Sequence, residues 1–152
     1  MKIRADEHVA PAIVVAIRDM ALSEGWNLDS VREAGDNGST DVHWITKFAS
    51  EGGDAILSAD ADFIKTAPQV MAVFRTGLKV IHLPHQWGMA EGRLQAAHVL
   101  LWWKRIEECL QSMRRQECYK PAWTISEIGK MVKVDLDFQR AKQRLKKAAK
   151  KG

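Results

Sequence analysis

Cysteine is scarce in this chain, and long apolar runs are missing altogether. Among 152 residues only Cys109 and Cys118 are cysteines, too few and too close together for a disulfide framework, and no metal-thiolate pattern surrounds them. Two reduced thiols are expected. None of the five histidines falls into a His-x-x-x-His or mixed Cys/His zinc spacing. No apolar run approaches the ~18 residues of a membrane span, so no membrane partner is expected. The opening MKIRADEH lacks the apolar stretch of a signal peptide and turns acidic at once, which predicts a cytoplasmic protein. No internal repeat is present.

What is there is ordinary in amount and uneven in placement. Apolar residues make up 46% and charged residues 28% of the chain, the balance of a globular domain large enough to form a core without staples. The net charge of +4 hides an asymmetry. Residues 1–110 carry 11 Lys/Arg against 15 Asp/Glu, whereas residues 111–152 carry 12 against 4. A mildly acidic body therefore precedes a strongly basic end, a pattern that suits an arm for a polyanion, a partner surface or a merely solvated segment.

Periodicity predicts strands alternating with helices. A strand at about 2–6 leads to a helix at about 10–24, with Ile13, Val14, Ile17 and Met20 at helical spacing. Trp26 to Arg32 reads as a second strand, and Thr40 as the N-cap of a helix over 41–51. Asp54 to Ser58 is a third strand, followed by a short helix near Pro68. Leu78 to Leu83 is a fourth strand, and a long helix spans about 90–116 with Leu94, Ala97, Leu101 and Trp102 on one face. Tyr119 to Ile125 is a possible edge strand interrupted by Pro121, and Thr124 or Ser126 could cap a helix toward Val132. The end, from Phe138, is helix-prone with almost no apolar face. The expected fold is α/β: a mostly parallel sheet of four to five strands flanked by helices in three layers, over residues 1–125, with a basic C-terminal extension over 126–152.

Acidic residues collect where the strands end. Asp6-Glu7 closes the first run, Asp60-Ala-Asp62 closes the run Ala55-Ile-Leu-Ser-Ala, and Asp41 opens a helix. If the two runs are neighbouring parallel strands, their carboxyl ends lie side by side, where open α/β sheets bind ligands. Carboxylates converging there repel one another unless a hard cation such as Mg²⁺ sits between them. Singly, each Asp is an ordinary loop or cap residue; the constellation points to metal-assisted hydrolysis.

These residues resemble the short PIN-like nuclease family, many of whose members are VapC-type toxins or their relatives. The resemblance lies in Asp6-Glu7-His8 after the first strand, Gly35 with Asp41 at a helix start, and Ser58-Ala-Asp60-Ala-Asp62-Phe63. It continues in Trp102-Trp103-Lys-Arg-Ile-Glu, Cys118-Tyr119 and Trp123. It implies a Mg²⁺- or Mn²⁺-dependent ribonuclease with an RNA substrate, an antitoxin protein as possible partner and a possible homodimer. Asp6, Asp41, Asp60 and Asp62 would be the catalytic and metal-binding carboxylates, with Glu7 and His8 in support. The chain departs from the family pattern at His8, where Asn is more usual, and at Val42-His43-Trp44, where further acids are expected. Those departures thin the metal site and keep open a weakened module that only binds RNA or protein.

Other candidates are weaker. His82 and His85 flank Leu83-Pro84 at the same sheet edge and are either phosphate contacts or structural. His98, Trp102 and Trp103 lie in the apolar helix and are expected in the core, while Trp44 and Trp87 are the tryptophans more open to a base-stacking role. Lys142, Arg144, Lys146 and Lys147 are possible RNA contacts. A receiver-type signalling domain also uses an acidic pair after its first strand; it would need a lysine ending the last strand, and Lys79 begins one instead.

Overall fold

The computed structural model describes residues 1–122 and 131–150. Twelve elements follow in order among them: β1 (Lys2–Ala5), α1 (Pro11–Met20), β2 (Asn27–Ser30), α2 (Asp41–Ser50), β3 (Ala55–Ser58), α3 (Ala67–Thr76), β4 (Lys79–His82), α4 (His85–Gly88), α5 (Gly92–Ser112), β5 (Cys118–Pro121), β6 (Met131–Val134) and α6 (Phe138–Ala149). They build one sheet in the order β2-β1-β3-β4-β5-β6. The first five strands pair in parallel, and β6 runs antiparallel to β5. The chain turns from β1 to β2 on one side and then crosses to β3 on the other, so the switch point of the topology lies between β1 and β3.

Alternation along the strands makes two faces. Ile3, Ala5, Leu57 and Ile81 face α1 and α5, where Ile13, Ile17, Trp102, Trp103 and Ile106 are buried. Ile56, Val80 and Cys118 face α2 and α3, against Trp44, Ile45, Phe48 and Val73. Glu107, at the end of the Trp-Trp-Lys-Arg-Ile-Glu stretch, is buried between α1 and α5. Its carboxylate accepts from Ser23 N–H at 2.9 Å, from the Ser23 hydroxyl, and from Trp103 Nε1 at 2.9 Å. Both cysteine thiols are free and buried. Burial pushes Cys109 up to about 11 and Cys118 up to about 12, far from the thiolate state that reactive cysteines need.

Several expectations are corrected. The sheet has six strands rather than four or five. The helix expected near Pro68 begins at Ala67 and runs on to Thr76, with Pro68 in its first turn, where no intrahelical N–H is required. The buried face of α5 is Val99, Trp102, Trp103, Ile106 and Leu110, while Leu94 and Leu101 stay exposed. Strand β5 is not at the edge, because β6 covers it. Met131 and Val132 are extended in β6, so no helix reaches Val132; the remainder of that expected helix, with Trp123, lies outside the described residues.

The basic extension also carries packing of its own. α6 is capped by Asp137, whose side chain accepts from Arg140 N–H at 2.8 Å. Its Ala141 is buried against Val70 and Met71 of α3, with Phe138 and Leu145 packed around them. Phe138 also meets Phe74 at 4.9 Å between ring centroids. Three apolar residues at the spacing 138, 141, 145 are enough for a narrow helical stripe. No helix among the described residues is long and apolar enough to cross a membrane.

Candidate active site at the carboxyl edge of the sheet

Asp6 follows β1 directly, and its N–H donates to the Leu57 carbonyl at 2.9 Å, which carries the pairing with β3 one residue beyond the strand. Its side chain is 3% exposed. Oδ1 accepts three backbone N–H groups, from His8 at 2.9 Å, Val9 at 3.2 Å and Ala59 at 3.4 Å. Oδ2 accepts the Ser58 hydroxyl. Burial pushes the Asp6 carboxyl above its ordinary range, while the bonds from Ser58, Ala59 and His8 and the charge of His8 pull against it.

Ser58 ends β3 and is fully buried. Its oxygen also accepts from Asp60 N–H at 3.2 Å, so a single hydroxyl joins Asp6 to the loop carrying Asp60. That loop is locally built: Asp60 Oδ1 accepts from Asp62 N–H at 2.9 Å, the turn that an Asp side chain favours. Across the next strand, Ser58 pairs with His82, and His82 Nε2 meets the Asp60 carbonyl at 2.9 Å. Asp60 is half-buried and keeps one carboxylate oxygen clear of any hydrogen bond or ion pair with the described residues.

The remaining candidates have other partners. Asp41 opens α2 and spans to α3: one oxygen accepts from Trp44 Nε1 at 3.0 Å and the other from the Gln69 amide. Asp62 is exposed and pairs with Lys65 at 3.3 Å. Glu7 is exposed and accepts Gly38 N–H at 2.9 Å, which ties the loop after β1 to the turn before α2. His8 is exposed beside Asp6. Lys142, Arg144, Lys146 and Lys147 are all exposed on α6. Trp44 and Trp87 are buried, as are Trp102 and Trp103, so none of these four offers a face for stacking. His98 is half-buried with its ring 5.4 Å from Trp87.

Thus Asp6 and Asp60 are brought together through Ser58; Asp62 joins them only through its backbone N–H, its carboxylate pairing with Lys65, and Asp41 stays on Trp44 and Gln69. Among the described residues no three His, Cys, Asp or Glu side chains are grouped to hold a metal ion. The donors at the edge nevertheless suit a hard cation: Asp6 retains a lone pair on Oδ2, Asp60 retains an oxygen, and neither has a Lys or Arg partner among the described residues. Mg²⁺ typically takes only one or two protein carboxylates and keeps its waters.

The sequence names Ser58 within a motif and His82 as a candidate phosphate contact, but not what they touch: the Ser58 bridge from Asp6 to the Asp60 loop and the hold of His82 on that loop both depend on strand order. Lys79, the residue a receiver domain would need at the end of a strand, begins β4 and donates through Nζ to the Leu110 carbonyl at 2.7 Å, at the opposite end of the strand from the acids.

The model of a family described as PIN like domain matches residues 1–85, which is more than half of the chain. The chain belongs to the PIN-like domain family, and the six-stranded α/β architecture agrees with it. PIN domains are generally nucleases, so the match suggests a nuclease-type module. No curated protein and no solved structure matches the chain.

Proposed function

We propose that the protein is a metal-dependent endoribonuclease in which Asp6 and Asp60 hold Mg²⁺ or Mn²⁺ at the crevice between β1 and β3. The observation that carries this reading is the pair of carboxylates linked through Ser58 at the switch point without a Lys or Arg partner from the described residues. A divalent ion there would acidify a water and stabilise the leaving oxygen of a phosphodiester. The chain's own part is orientation. Three N–H groups fix Asp6 Oδ1, the Ser58 hydroxyl fixes Oδ2, and His82 fixes the loop that presents Asp60. Asp41 and Asp62 keep their own partners.

RNA is the substrate class that the family resemblance favours, and the toxin of a toxin–antitoxin pair is its finer form, with an antitoxin protein as partner, a homodimer as the assembly and the cytoplasm as the setting. The exposed cations of α6 would then meet RNA phosphates. A second reading, a weakened module that binds RNA or protein without cutting, is supported by the occupied oxygens of Asp41 and by Val42-His43-Trp44 in place of further acids. RNA cleavage across a Mg²⁺ and Mn²⁺ titration separates the two. Cleavage should require the ion, and calorimetry should show metal affinity reduced in Asp6→Asn and Asp60→Asn. Unchanged affinity in both variants removes the site. Expression of the wild type should slow bacterial growth and Asp60→Asn should relieve it; a soluble, harmless wild type favours the binding module.

A further inference from the structure

A cavity of about 730 Å³ opens on the same edge of the sheet, immediately beyond the Asp60 loop, between the ends of β4 and β5 and the start of β6. Its volume lies within the range of small-molecule sites. Its charged lining is of one sign. Lys65, which also pairs with Asp62 at 3.3 Å, and Lys120 border it, and no carboxylate does among the described residues, although the body of the chain carries more acids than bases. The remaining wall is apolar, formed chiefly by Ile64, Pro84 and Val132. His82 also lines it; that side chain is 7% exposed, and its Nδ1 is buried without a hydrogen-bond partner while Nε2 meets the Asp60 carbonyl. An unpaired buried ring nitrogen calls for a partner, which a ligand's polar group can supply.

Cations with an apolar wall and one polar contact match the chemistry of a nucleotide: a phosphate, a flat base and a base edge. We propose that this cavity is a nucleotide subsite, which seats the unit of RNA next to the phosphodiester that an ion at Asp6 and Asp60 would engage. Lys120 takes its phosphate while Lys65 stays paired with Asp62, Val132 and Ile64 face its base, and His82 links the occupied cavity to the Asp60 loop. No aromatic ring from Phe, Tyr or Trp lines the cavity among the described residues, so selection among bases follows shape and the His82 contact rather than stacking. This inference rests on the nuclease reading for its place in the reaction, and on the cavity alone for binding.

The test uses adenosine and uridine 5′-monophosphate and inorganic phosphate as probes on the full chain, in EDTA, with affinity followed by NMR titration. The nucleotides should bind more tightly than phosphate, with shifts at Ala61, Lys120 and Val132. Lys120→Ala should weaken nucleotide binding about tenfold, the scale of one charge-assisted hydrogen bond. Val132→Asp should weaken it too, while Asp60→Asn leaves it in place. Both Lys120 and Val132 are exposed, and a melting curve verifies folding of each variant. In cleavage assays Lys120→Ala should raise KM and leave kcat within about twofold, as loss of uniform binding requires. If RNA is cut and both variants keep the wild-type KM and nucleotide affinity, the subsite is overturned and the nuclease stands. If nucleotides bind in the cavity while no RNA is cut under any metal, the subsite stands and the nuclease reading is overturned.

Discussion

Two groups of carboxylates gather along the same first strand, and the chain treats them differently. Around Arg4 every acid is matched. The guanidinium meets Asp29 at 2.9 Å, Glu51 at 3.4 Å and Asp36 at 3.7 Å, and Lys47 reaches Asp36 at 2.8 Å. Two residues further on, Asp6 receives three N–H groups and a hydroxyl but no Lys or Arg from the described residues. Those neutral donors hold the carboxylate in place and leave its charge largely uncompensated. The difference separates acids paired within the fold from acids without a Lys or Arg partner, the ones to which the proposed function assigns the metal ion.

The largest effect should come from breaking the matched side. Arg4 is 5% exposed and its guanidinium lies 4.4 Å from the Phe48 ring centroid. Arg4→Met keeps much of that packing but strands Asp36, which is 6% exposed, with Lys47 alone. Removing one partner of a buried network typically costs about 3–5 kcal/mol, and urea unfolding should register a loss of that order. A loss below about 1 kcal/mol would show that the Arg4 network is not what holds these acids.

On the unmatched side the order reverses: function should suffer and stability should not. Asp60→Asn removes charge and leaves the Asp62 N–H acceptor in place, so RNA cleavage should fall by about 100-fold, or about 2.7 kcal/mol of barrier, with melting unchanged. A variant that melts early instead would place Asp60 with the Arg4 group as a structural acid.

Much of this division was legible in the sequence, and the reason is local. Asp6 and Asp60 stand out because each ends an apolar run, and parallel pairing of those runs places them side by side. Thr40 was legible as a cap because its side chain works within one turn, accepting from His43 N–H. What was not legible depends on distant partners. Asp41 has the position of a site residue, but Gln69, from a different helix, claims one of its oxygens. Arg4 reads as an ordinary strand residue until Asp29, Asp36 and Glu51 converge on it. The end of the chain was misjudged for a related reason: Phe138, Ala141 and Leu145 form too sparse a stripe to signal packing until α3 presents Val70 and Met71 to it.

That packing sharpens the comparison at a third place, where cations rather than acids are exposed. Leu145→Asp should destabilise by about 1–2 kcal/mol, less than a fully buried leucine would lose, and truncation after Ser126 should cost more because it also uncovers β5. By contrast, replacing Lys142, Arg144, Lys146 and Lys147 together by Gln should leave the melting temperature within about 2 °C, in keeping with the small effect of surface changes. If these four meet RNA, the slope of log affinity against log salt should flatten by about 0.7 for each phosphate of single-stranded RNA that the variant no longer neutralises. An unaltered slope with intact folding assigns α6 to packing alone.

The smallest effect is a pH dependence that belongs to Asp6 itself. Its carboxyl is raised above the ordinary 3.8 by burial, against the pull of its hydrogen bonds. In the pH range from 3.8 up to that raised value the folded state therefore binds more protons at this position than the unfolded state, and stability falls as pH rises through it. The Asp6 contribution is fully present below the unfolded value and is lost above the folded one. Asn suits the same place, because its carbonyl oxygen accepts the three N–H groups and its amide donates to the Ser58 oxygen. Asp6→Asn should therefore fold, and the melting temperature of the wild type relative to this variant should decline from acid toward neutral pH. Adding Mn²⁺ should reverse the decline in the wild type alone, since a cation favours the carboxylate. If the wild type instead gains on Asp6→Asn as pH rises without metal, the hydrogen bonds at Asp6 outweigh its burial, and the edge acids are compensated after all.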